Sequence, residues 1–122
     1  MNLTPFTLDE ISKFQKSEKF VLIPRFLFGE NLHYLLPAQS KFLYSILLEK
    51  YSLCQKMNWI DEEGLPYIIC HRTEMADLMC CDKNPILSIK KHLTQLGLLK
   101  THRVGSRTYR IYLFHPEEKE LF

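Results

Sequence analysis

The stretch from Asp82 to Gly97 constrains this chain more than any other. Asn84 can accept from a free helix amide, Pro85 lacks an amide hydrogen where a helix start needs none, and Gly97 tolerates the left-handed backbone of a helix end. Between these signals Ile86, Ile89, Leu93 and Leu96 recur at helical spacing as one apolar stripe. The spacing predicts a helix over 85–96, capped by Asn84, with a core side already assigned. Its opposite side carries Asn84, Ser88, Lys91 and Gln95, with Leu87 and Thr94 at the edge and no acid anywhere.

The rest of the chain supplies the elements around that helix. Thr7-Leu8-Asp9-Glu10 fits a capping box, with Leu8, Ile11 and Phe14 behind it at helical spacing. Lys19 to Ile23 is apolar and reads as a strand or extended arm, broken by Pro24 before Phe26-Leu27-Phe28 and Gly29. Pro37 opens a helix running to about Tyr51, with Phe42, Leu43, Ile46 and Leu47 on one face. Asp61-Glu62-Glu63-Gly64 reads as a solvated turn, and Leu65 to Cys70 as a short buried strand. Thr73 can cap a short helix carrying Ala76, Leu78 and Met79, which breaks at Cys80-Cys81-Asp82. After Gly97, Leu98 to Arg103 and Thr108 to Phe114 are β-prone runs joined by Val104-Gly105-Ser106-Arg107.

From Pro37 the order is helix, strand, short helix, turn, helix, strand, basic loop, strand. That is the order of a winged helix-turn-helix, an α+β fold whose second turn-pair helix enters the DNA major groove while the hairpin reaches the flanking backbone. The chain divides into an N-terminal helix/strand arm over 1–36, a winged-helix DNA-binding domain over 37–116 and an acidic tail over 117–122.

Charge agrees with that division. Net charge is only +2, but the first 82 residues sum to −3, whereas residues 83–110 carry +7 with no acid. A basic module on a mildly acidic body is the footprint expected for a polyanion partner. Asn and Gln can bond adenine, Lys guanine or phosphate, and Ser either, so Asn84, Ser88, Lys91 and Gln95 are the candidate base readers. Arg72, Thr73 and Lys83 sit where helix N-termini attract phosphate, and Lys90, Arg103, Ser106, Arg107 and Arg110 complete the candidate backbone set.

Other function classes find little support. At 122 residues the chain is one domain, able to bury roughly two thirds of its unfolded surface. The uncharged stretches 31–40 and 42–48 fall short of the roughly 18 apolar residues of a membrane span. Asp9 and Glu10 stand where an export signal needs an apolar run, so a cytoplasmic protein without membrane contact is expected. Cys54, Cys70, Cys80 and Cys81 suit reduced thiols. Neighbours such as Cys70-His71 and Cys80-Cys81 rarely point at one ion, so no metal is expected. His71 and Glu74 fit a helix-start interaction; no nucleophile elbow or phosphate loop is present, and neither enzymatic activity nor a cofactor is expected.

Several runs resemble the N-terminal domain of the RepA plasmid replication initiators of Gram-positive bacteria. They are Lys19-Phe20, Ile23-Pro24-Arg25, Lys41 to Leu48, Asn58-Trp59-Ile60-Asp61-Glu62-Glu63-Gly64, Tyr67-Ile68-Ile69, Lys90 to Leu93 with Leu96-Gly97-Leu98, and Arg110 to Leu113. The Trp-Ile-Asp-Glu-x-Gly turn before a Tyr-Ile-Ile strand is the most specific, and the likeness covers about 14–114. It implies a winged-helix domain that dimerises and binds repeated duplex sites at a plasmid origin. It also implies a separate C-terminal domain that engages host replication proteins, with this chain as a fragment and 117–122 as the start of a linker. Gly105-Ser106-Arg107-Thr108-Tyr109 is more compact than the family's wing loop. Phe6, Leu8, Ile11, Phe14, Phe20 and Leu22 are a surplus of apolar side chains for a small winged-helix core; they either form a dimer interface or extend the core. A transcriptional regulator and a protein-docking module are the alternative functions of the same fold.

Overall fold

The last strand organises the molecule. The computed structural model describes residues 2–12, 21–29, 35–106 and 108–116. Its elements are strand β1 (Leu3–Pro5), helices α1 (Leu8–Ser12), α2 (Ala38–Lys50), α3 (Arg72–Met79) and α4 (Lys83–Gln95), and strands β2 (Leu99–Arg103) and β3 (Tyr109–Pro116). β3 is central in an antiparallel sheet of order β1-β3-β2. β2 pairs along one edge, from Leu99 opposite Leu113 to Arg103 opposite Tyr109. The other edge is shared: β1 takes Phe114 to Pro116, and Ile68 exchanges both backbone bonds with Ile111. With α2, α3 and α4 packed on this sheet, the fold is a winged helix-turn-helix.

Alternation along β3 sends Ile111, Leu113 and His115 into the interior. There they meet Leu43, Tyr44 and Leu47 of α2, Met75 and Ala76 of α3, and Ile86, Ile89 and Leu93 of α4. Two buried phenols tie α2 to β3: Tyr44 donates to the Phe114 carbonyl at 2.8 Å, and Tyr51, just past α2, accepts from the Leu113 amide at 2.9 Å. Burial pushes both phenols well above the ordinary tyrosine range, so they keep their protons. Ser40 is buried because its hydroxyl donates to the Ile89 carbonyl of α4 at 3.1 Å.

Several expectations change in three dimensions. Phe42 is exposed, because the core stripe of α2 runs Ser40, Leu43, Tyr44, Leu47, one position out of phase with it. Leu65 to Cys70 forms only isolated bridges, at Pro66 and Ile68, since Pro66 has no amide to donate and β1 holds the rest of that β3 edge. Val21 to Pro24 is irregular and Arg25–Phe28 is a 3-10 turn, with Leu27 in the core and Phe26 edge-on to Tyr44 at 5.7 Å. Glu74 pairs with Lys50 of α2 rather than His71, which itself is the N-cap of α3 in place of Thr73.

The first residues belong to the body rather than to a free arm. The capping box forms, with Glu10 Oε1 accepting the Thr7 amide at 3.0 Å and the Thr7 hydroxyl accepting the Glu10 amide at 3.2 Å. The other Glu10 oxygen lies 3.1 Å from Nε2 of buried His115, whose ring stacks 4.2 Å from Phe6. One carboxylate thus caps α1 and fastens it to β3, and this anchoring allows a five-residue helix that would be marginal alone. Phe6 is 1% exposed and part of the core, and Ile11 is partly buried against it, so both extend this chain's own interior. Leu8 is half-buried and Leu22 exposed, while Phe14 and Phe20 lie outside the described residues.

The turn between α3 and α4 is a Schellman motif: the Cys81 amide bonds the Ala76 carbonyl and the Cys80 amide that of Asp77, with Cys80 left-handed at φ 55°. The end of α4 repeats it, with Leu98 to Leu93, Gly97 to Thr94, and Gly97 at φ 77°. The first motif therefore carries a side-chain strain that the second avoids. Cys80→Gly is expected to raise the urea midpoint by an amount worth about 1 kcal/mol with the slope unchanged. Phe6→Ala is expected to cost about 3–5 kcal/mol at every protein concentration; a loss that grew on dilution would return Phe6 to an interface.

Candidate nucleic-acid interface

Burial of Ile86, Ile89 and Leu93 sets the rotation of α4, and the remaining side chains follow from it. Asn84, Ser88, Lys91 and Gln95 are all exposed on the opposite side, as are Lys83, Leu87 and Thr94. The helix begins two residues before the expected start, with Asp82 as N-cap and Lys83 as its first residue. Pro85 does not prevent this, because none of the first-turn amides has a partner within the helix. Asn84 is thereby released from capping and stands on the outer face.

Lys90 lies on the flank, half-buried, and desolvation draws its ammonium below the ordinary lysine range. It sits within electrostatic reach of the Cys70 thiol, which burial pushes up to about 11, so that thiol is an unreactive core group. Arg72 and Thr73 are exposed at the start of α3.

The hairpin register sorts the basic residues by face, since paired residues share a side and neighbours alternate. Leu99 and Leu113 are paired and buried, so Thr101 with Ile111 and Arg103 with Tyr109 continue the same side. Lys100 with Tyr112 and His102 with Arg110 take the other. Arg103 donates through Nε to the Gly105 carbonyl at 2.8 Å and through Nη2 to the Ser106 carbonyl at 2.7 Å, bracing the hairpin turn while its charge stays exposed. Ser106 is exposed at that turn, and Arg107 lies outside the described residues.

Arg110 is not an open phosphate ligand. Its guanidinium makes two bonds of 3.2 Å to the two Glu62 oxygens and lies 4.6 Å from the centre of the Tyr67 ring. The acidic turn is accordingly more than solvated. Asp61 Oδ1 accepts from the Glu63 and Leu65 amides, its Oδ2 accepts from the Tyr112 hydroxyl at 2.9 Å, and Gly64 closes the turn at φ 84°. Asp61, Glu62, Lys100, His102 and Arg110 line an open groove of about 360 Å³ on this outer side.

Sequence reasoning missed Leu87 as a central member of the outer α4 face, and Thr101 and Tyr109 as companions of Arg103. A helical wheel at about 100° per residue puts Leu87 as near the middle of that face as Ser88. The hairpin pairs needed the register, which no single strand announces.

A helix whose outward side chains include no acid, packed against the first strand of a basic hairpin, defines a winged-helix module. The model of the family described as replication initiator protein A (RepA) N-terminus matches residues 19–120, and the chain belongs to that family. A 41 kDa protein of Lactobacillus helveticus is 29% identical over 108 residues, 83% of this chain and 31% of that protein, so the chain spans about a third of its relative's length. The solved structure "N-Terminal domain of DNA binding protein" is similar at 32% identity and TM-score 0.72, with 95% of this chain and 86% of that one covered. "Structure of Rep-DNA complex" is similar at 33% identity and TM-score 0.70, covering 91% and 83%. "Structure of MDR initiator" is similar at 31% identity and TM-score 0.71, covering 95% and 89%. Among the described residues no helix is long and apolar enough to cross a membrane.

The hydrogen bonds from Arg110 hold the Glu62 carboxyl below its ordinary value. The pair's stabilisation is therefore present above the unfolded carboxylate pKa and lost as pH falls through the depressed folded value. Arg110→Gln is expected to return the Glu62 titration to the ordinary carboxylate range in a side-chain carboxyl NMR titration; an unchanged curve would refute the pairing.

Proposed function

We propose that this domain is the origin-binding module of a plasmid replication initiator, gripping double-stranded DNA with α4 in the major groove. The observation that supports it best is the exposed face of Asn84, Ser88, Lys91 and Gln95, none of them acidic, on a helix that packs against the hairpin strand carrying Arg103. Those four side chains read base edges. Arg72, Thr73 and Lys83 at two helix starts, Lys90 on the flank and Arg103 and Ser106 on the wing hold phosphates, together with Arg107, the next residue in sequence. Arg110 takes no part in this, because Glu62 neutralises it on the opposite face of the hairpin.

A relative solved as a Rep-DNA complex supports the choice of polymer, and the family supports the role in initiation. In this role the module recognises repeated sites at the plasmid origin, works as a cytoplasmic homodimer and performs no catalysis. A further region of the whole initiator recruits host replication proteins. Among the described residues of the N-terminal region, the exposed apolar side chains Val21, Leu22, Phe28 and Leu35 are open to a second copy.

Duplex affinity is expected to fall steeply with salt, with a slope of about −0.9 per phosphate contact in the double-logarithmic plot. A flat titration would remove DNA binding. Arg103→Gln is expected to make that slope shallower by about 1 while Arg110→Gln leaves it unchanged. Lys91→Ala or Gln95→Ala is expected to narrow the gap between selected and random duplex by about 1–3 kcal/mol; equal losses on both would reassign the residue to the backbone.

A further inference from the structure

Leu87 is 56% exposed although α4 has ample apolar surface on its buried side. It stands one helical turn after Asn84 and one before Lys91, beside Ser88, and all three of these neighbours are exposed. It is also in the N-terminal half of α4, the part of a helix-turn-helix reading helix that meets base edges. A polar strip with one large apolar side chain inside it matches a surface that is polar with one apolar projection. In the major groove that projection is the C5-methyl group of thymine.

We propose that Leu87 is a specificity residue that selects thymine by packing on its C5-methyl group. The proposal rests on α4 being the DNA-reading helix. Asn84 and Lys91 supply the hydrogen bonds on either side, and Leu87 adds a contact that cytosine and uracil cannot return. Leu87 is neither in the buried core cluster nor among the partly buried side chains packed on it, so truncation isolates the recognition effect.

The test starts from duplexes that the wild-type domain enriches from a random pool. Each thymine in the enriched site is replaced in turn by uracil, which removes the methyl and leaves every hydrogen-bonding group in place. Wild type is expected to lose about fourfold in affinity at one thymine of the site, the factor for one buried methyl-sized group. Leu87→Ala is expected to bind the thymine and uracil duplexes equally there, and Leu87→Met to keep most of the preference. Equal uracil effects for wild type and Leu87→Ala at every position, or none for wild type at any, would overturn the proposal with DNA binding intact. A Leu87→Ala change in oligomeric state with the same base preferences would make the residue a protein contact and also overturn it. Failure of wild type to enrich any duplex would remove the DNA-binding assignment itself, and this inference with it.

Discussion

Ile86, Ile89 and Leu93 anchor α4 in the core, and that burial orients every outward side chain on the helix. A buried apolar side chain is worth about 1.5–3 kcal/mol relative to exposure, so three of them hold the helix against rotation far more firmly than any surface contact could. The Ser40 bond to the Ile89 carbonyl adds a directional constraint, since a rotated α4 would leave a buried hydroxyl unpaired. The position of α2 is in turn held by the Tyr44 and Tyr51 bonds to β3. A continuous line of buried polar contacts therefore runs from the central strand through α2 to the helix that presents Asn84, Leu87, Ser88, Lys91 and Gln95.

The hairpin obeys a different rule, the two-residue period of a strand. Arg103 and Arg110 both lie in the basic stretch, yet the register places them on opposite faces. One braces the turn through the Gly105 and Ser106 carbonyls and keeps an exposed charge; the other is held by Glu62 over the Tyr67 ring. The +7 of residues 83–110 is thus less available than its sum suggests, because part of it is balanced by an acidic turn far away in sequence. Exposed ion pairs contribute little stability, so the effect of the Glu62 pair is on where positive charge is displayed.

The apolar surplus of the N-terminal region divides between interior and surface. Leu8 and Ile11 are spaced like one face of an amphipathic helix, with Phe6 just ahead of it, and such a surplus serves an interface or an interior equally well. β1 decides between them: once Leu3 to Pro5 pair with β3, Phe6 is carried into the core and His115 closes over it. Helix α1 persists because Glu10 satisfies both the Thr7 amide and His115.

What the sequence determined was periodic and local. The apolar stripe of α4, the Gly97 stop, the Thr7-Glu10 box, the Asp61-Gly64 turn and the order of elements could all be read, because each depends on residues within one or two helical turns of one another. The winged helix followed from that order, and so did the polar face of α4. Tertiary structure alone decided which strand edge β1 occupies, that Phe42 faces outward and that Arg110 answers to Glu62. Those outcomes depend on partners 40 or more residues apart, whose pairing is set by strand register and core packing rather than by any pattern within a single segment.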